Sequence, residues 1–99
     1  MIAVAGGSDI RCAPYATFGT RELSANAVEA LRDRKACLLA HHGMVATGPT
    51  LDRAMWIAVE VEALARQYLT CLQVSEPPLL PEQEIENVLS RMANYGHRD

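Results

Sequence analysis

Two adjacent imidazoles, His41 and His42, followed by Gly43, interrupt an otherwise apolar stretch that runs from Ala36 to Ala46. Neutral imidazole is the commonest metal ligand and titrates near physiological pH, so the pair suits metal binding or proton transfer. It equally suits a structural histidine whose ring nitrogens are satisfied by backbone groups. In an extended backbone consecutive side chains point to opposite faces, so only one of the two can serve a given site. A catalytic zinc takes three protein ligands. The only other histidine is His97, near the end of the sequence, so the chain does not complete such a site with its own histidines.

The other reactive groups say less. Asp9, Glu22, Glu29, Glu60 and Glu62 offer carboxylates, but Glu60 and Glu62 lie two apart on a helical pattern and diverge, which fits a solvated face. Ser8 after Gly6-Gly7 reads as a small anion loop or as a tight turn, and no phosphate-loop motif follows it. Cys12, Cys37 and Cys71 read as buried, inert thiols. Tyr95, just before Gly96, is an interface anchor, a general acid for a neighbouring site, or an exposed terminal tyrosine.

These groups must be positioned by a small set of elements. Met1 to Gly7 is a short apolar run that fits either a buried strand or the end of a helix. Ser8 to Gly19, with Pro14 and Gly19, reads as loop with room for one short strand. Leu23, Ala27, Val28, Ala30 and Leu31 share a helical face, and the basic residues among Arg32 to Lys35 are expected at that helix's C-terminal end. Ala36 to Ala40 is an apolar run of strand length, and Met44 to Thr47 a second extended piece before Gly48-Pro49.

Thr50 is a good N-cap for the longest element. Leu51 to Gln73 contains no Gly or Pro, and Leu51, Ala54, Met55, Ala58, Val61, Ala65, Tyr68, Leu69 and Leu72 recur at helical spacing as its expected buried face. Beyond Pro77-Pro78, Pro81 opens a last helix with Ile85, Val88, Leu89 and Met92 on its apolar face, ending near Asn94 to Gly96.

Composition closes off several kinds of function. With 99 residues, 49% of them hydrophobic and 21% charged, the chain is one globular unit. A net charge of -3 with scattered bases excludes a nucleic-acid footprint, and 5% aromatic content leaves no stacking platform. No apolar stretch approaches the roughly 18 residues of a membrane span. No basic segment precedes an apolar leader, and the cysteines number three, so cytoplasm is the expected compartment.

C-A-P-Y-A-T-F-G-T-R-E-L-S (Cys12 to Ser24), A-C-L-L-A-H-H-G-M-V-A (Ala36 to Ala46) and W-I-A-V-E-V-E-A-L-A-R-Q-Y-L (Trp56 to Leu69) resemble the C-terminal half of class II aldolase/adducin domains. The likeness runs through the Pro-Pro break to Asn94-Tyr95-Gly96 and is strongest to the branch acting on L-fuculose phosphate. It implies an α/β fold, part of a three-layer α-β-α domain with a central sheet whose N-terminal half is missing, so that residues 1–99 form its C-terminal half. It also implies zinc-dependent cleavage of a ketose 1-phosphate into dihydroxyacetone phosphate and an aldehyde, in a homotetramer with sites between subunits.

Carried onto this sequence, the resemblance makes His42 a zinc ligand and His41 its neighbour on the other face. Tyr95 becomes a proton donor or positioner in a neighbouring subunit's site, and Phe18 lines the aldehyde side. The family's H-x-H pair, catalytic glutamate, phosphate loops and second active-site tyrosine match positions upstream of Met1. The chain alone is therefore expected to be inactive, with a bare sheet edge and an uncovered core face. An L-ribulose-phosphate 4-epimerase-like enzyme shares the zinc histidines, and an adducin-like assembly module would keep the fold without the chemistry.

Overall fold

The structure is a computed structural model and describes residues 1–95. Three strands form one sheet in the order β1 (Cys12–Ala13), β2 (Ala36–Leu39), β3 (Gly43–Ala46). Helix α1 (Arg21–Ala30) connects β1 to β2, α2 (Leu51–Leu72) follows β3, and α3 (Glu82–Tyr95) comes last. The chain opens with a single 3-10 turn over Ile2–Ala5.

β1 and β2 are parallel, with Ala13 opposite Leu39, which demands a crossover of helix length, and α1 supplies it. β2 and β3 are antiparallel, pairing Ala36 with Ala46 and Leu39 with Gly43. Alternation along the strands then assigns the two faces. Cys37, Leu39 and Val45 meet Ala13, Ala30 and Leu31 on the α1 side. Ala36, Leu38, Met44 and Ala46 meet Ile57 and Val61 on the α2 side. Helices on both faces explain why β2 reads as an uninterrupted apolar run rather than an alternating one. The expected three-layer α-β-α arrangement is present.

The helices start where hydroxyls satisfy their first free N–H groups. The Thr20 side chain accepts from the Leu23 N–H at 3.2 Å, and the Thr50 side chain accepts from the Arg53 N–H at 3.1 Å. The 3-10 turn ends at Gly6 in the left-handed region (φ 100), where a Cβ would crowd the Arg34 backbone at 3.3 Å. Its buried Ala3, Val4 and Ala5 pack toward α2 and α3, and Ile85 of α3 is buried. Neither alternative foreseen for the opening, strand or helix end, describes it fully.

Two expectations are corrected. The basic cluster does not terminate α1, because the helix stops at Ala30 and Asp33 turns left-handed (φ 57). Arg34 instead reaches back to Asp9 at 2.9 Å, tying the first loop to the turn before β2. The expected buried face of α2 is also shifted. Ile57 and Val61 are buried, whereas Leu51, Met55 and Leu69 stand in solvent at 89%, 65% and 63% exposure. Among the described residues β1 pairs only with β2.

Candidate functional site

The two histidines sit in the β2–β3 turn. Leu39 and Gly43 close the hairpin, and the His42 N–H donates to the Leu39 carbonyl at 2.9 Å. His41 takes the third position of that four-residue turn with φ 64, a left-handed conformation that β-turns of type II require there. A non-glycine residue in that region is uncommon, and histidine is among the few types enriched in it.

This turn overturns the alternation argument. His41 and His42 are not successive residues of an extended strand, and they do not face opposite sides of the sheet. Both pack on one ring, that of Tyr15. The His42 imidazole stacks on it with centroids 5.3 Å apart and planes inclined by 17°, and His41 meets it edge-on at 5.6 Å and 85°. The His42 Nε2–H also donates to the Ala16 carbonyl at 2.9 Å. A carbonyl only accepts, so Nε2 carries the proton, and the lone pair of the neutral ring is on Nδ1.

The fold brings these residues together through the parallel pairing of β1 with β2. Since Ala13 is opposite Leu39, the residues leaving β1, Pro14 to Ala16, lie beside those leaving β2, Ala40 to His42. The carboxyl end of parallel strands is where open α/β sheets bind ligands. There a shallow concavity of about 470 Å³ is bordered by Cys12, Leu38, His41, His42, Met44 and Glu62. Glu62 arrives from α2, exposed and 3.9 Å from Arg66.

The sequence reading missed Tyr15 and Glu62 as members of this site. Glu62 is solvated, as expected, yet it borders the histidines. The signal for Tyr15 was the parallel pairing itself, which no short motif encodes.

Phe18 lies in the loop between β1 and α1, two residues beyond Ala16, and is 80% exposed. Tyr95 closes α3, with its side chain outside what the structure describes, and Gly96 and His97 lie outside the described residues. Among the described residues no three His, Cys, Asp or Glu side chains gather into a metal-holding group. The Ser8 hydroxyl donates to a Glu82 carboxylate oxygen at 2.8 Å, and a Cβ on Gly7 would strike the Arg34 guanidinium, so this stretch is a packed turn. Of the three thiols expected to be buried, Cys12 and Cys71 are exposed; Cys37 is buried and its pKa is raised, first by loss of solvation and then by nearby Cys12, against a lowering backbone hydrogen bond at Val45. No helix among the described residues is long and apolar enough to cross a membrane.

A parallel strand pair bridged by α1, a histidine turn at its carboxyl end and a long helix behind it define the class. The model of the class II aldolase and adducin N-terminal domain matches residues 1–69, and the chain belongs to that family. It is 60% identical over 96 residues to the 5-methylthioribulose-1-phosphate/5-deoxyribulose-1-phosphate aldolase of Rhodospirillum rubrum, covering 97% of this chain and 43% of that one. It is 54% identical over 99 residues to the L-fuculose phosphate aldolase of Escherichia coli, covering 99% and 46%. A solved structure of an L-fuculose 1-phosphate aldolase superposes with a TM-score of 0.89 at 43% identity, over 93% of this chain and 43% of that one. The chain thus spans a little under half the length of the curated relatives it matches.

Proposed function

We propose that residues 1–99 carry the C-terminal half of a zinc-dependent class II aldolase that cleaves a ketose 1-phosphate into dihydroxyacetone phosphate and an aldehyde. The observation that carries this reading is the state of His42. Its Nε2–H is held by the Ala16 carbonyl and its ring borders a concavity, which is how a ligating histidine is ordinarily oriented, with one nitrogen donating to a carbonyl and the other left for the metal. The donor chemistry fits one zinc ligand, and the others come from outside this chain. When bound, the zinc supplies Lewis acidity that stabilises negative charge on the ketose oxygens as the carbon–carbon bond breaks.

The chain's own residues then have separate tasks. His42 holds the metal. Tyr95, contributed to a neighbouring subunit's site, gives a proton to, or positions, the oxygen of the departing aldehyde. Phe18 offers an apolar wall on the aldehyde side and keeps water from it. Sites shared between subunits imply a homo-oligomer, a tetramer in this reading, and three free thiols suit a reducing cytoplasm.

The substrate has two readings. L-fuculose 1-phosphate follows from the motif likeness. A 5-deoxyribulose or 5-methylthioribulose 1-phosphate is favoured by the 60% identity to the Rhodospirillum rubrum enzyme.

The test has two arms. Zinc competition against a chromophoric chelator, with the N-terminal half of a relative added to supply the other ligands, should show binding that falls at least tenfold in His42→Ala. Cleavage of each sugar phosphate should be absent from the chain alone and appear when the N-terminal half of a relative is added. Equal zinc affinity of wild type and H42A would overturn the metal reading, and an adducin-like assembly role would then take its place.

A further inference from the structure

We infer that Tyr15 is the positioning residue of the histidine turn, fixing the His42 ring in one orientation and one tautomer with Nδ1 free. The inference rests on the reading of His42 as a metal ligand for its consequence, though not for its geometry.

Tyr15 is 54% exposed, so it is poorly explained as a core residue. Its ring contacts are the two imidazoles. A histidine side chain has two rotatable bonds, and a single hydrogen bond from Nε2 to the Ala16 carbonyl leaves the ring free to swing about that contact. The Tyr15 face, inclined only 17° to the imidazole, removes that swing. Offset stacking at this separation is a favoured arrangement of aromatic rings.

The ring and the carbonyl come from one dipeptide, Tyr15-Ala16, and Ala16 is buried at 4% exposure. The dipeptide therefore acts as one rigid clamp. It fixes the plane of the ring through Tyr15 and the donating nitrogen through Ala16. His41, edge-on to the same tyrosine, braces the clamp from the turn. No hydrogen bond engages the Tyr15 hydroxyl within the described residues, so the aromatic face rather than the phenol carries this role.

Imidazole nitrogen spectra of the full 15N-labelled chain test the clamp without any metal. In mildly alkaline buffer, wild type should show His42 as a single Nε2–H tautomer with its ring protons shifted upfield by the Tyr15 ring current. Tyr15→Phe should keep both features, whereas Tyr15→Leu should give tautomer-averaged nitrogens and no ring-current shift. In the metal arm, with the N-terminal half of a relative added, zinc affinity by chelator competition should fall about tenfold in Y15L and stay within about twofold in Y15F.

An averaged tautomer in wild type, an unchanged His42 spectrum in Y15L, or equal losses in Y15F and Y15L would each overturn the inference. If Y15L fails to fold, the ring-current shift in wild type and Y15F decides it alone. If wild type with that half added binds no zinc, the metal reading fails while the imidazole spectrum still decides the role of Tyr15.

Discussion

Two faces of α2 carry similar residues and meet opposite fates. On one, Ile57 and Val61 lie against the sheet at 5% and 0% exposure. On the other, Leu51, Met55, Val59 and Leu69 follow one another at helical spacing and stay in water, interrupted by the Glu62–Arg66 pair. Apolar periodicity marks a face as able to be buried, and the extent of the sheet beneath decides whether it is. The sheet, three strands wide among the described residues, covers one of the two.

Truncations on the two faces separate them most strongly. Ile57→Ala should destabilise the chain by about 3 kcal/mol, and Leu69→Ala by less than about 0.5 kcal/mol, as read from urea midpoints at constant slope. Similar losses from both would show that the outer face is covered in solution. A smaller effect comes from the junction where α2 leaves the sheet. Thr50→Ala removes the acceptor for the Arg53 N–H and should cost about 1 kcal/mol, with Thr50→Ser restoring most of it.

The thiols sharpen the comparison last. At mildly alkaline pH a thiol reagent should modify exposed Cys12 and Cys71 in the folded chain, and buried Cys37 only on unfolding. Because burial raises the Cys37 pKa, the folded chain holds that proton more tightly than the unfolded one. Its contribution is complete below the unfolded thiol's pKa and is lost as pH rises towards the folded value. Wild type should therefore lose stability from about pH 8.5 upward more steeply than Cys37→Ala. Parallel curves for the two would contradict the assignment.

Much of the fold was legible because it is local. Thr50 and a run free of Gly and Pro announced α2 to within a residue at its far end, and the apolar run from Ala36 announced β2. β1 was not placed, since two residues are too few to show a period, and its existence depends on pairing with a strand far along the chain. The end of α1 is legible to within a residue, but the basic residues that follow do not join its last turn, because Asp33 turns left-handed and diverts them.

The site divides in the same way. The histidine pair stood out as polar residues within an apolar run. Its turn geometry was hidden, because it depends on a left-handed backbone at a residue other than glycine. Tyr15 and Glu62 could not be seen from local spacing, because β1 and α2 deliver them from separate segments.

The short register between β1 and β2 has an evolutionary consequence. Tyr15 and Ala16 reach His42 only because they follow Ala13 at a fixed count, and the turn meets them only because it follows Leu39 at another. One inserted or deleted codon between Ala13 and Ala16 would present the wrong side chain to the imidazole, whatever residue it encoded. Lineages of this domain should therefore vary freely in length around residues 74–80, which lie between α2 and α3, and almost never across 13–16 or 39–43.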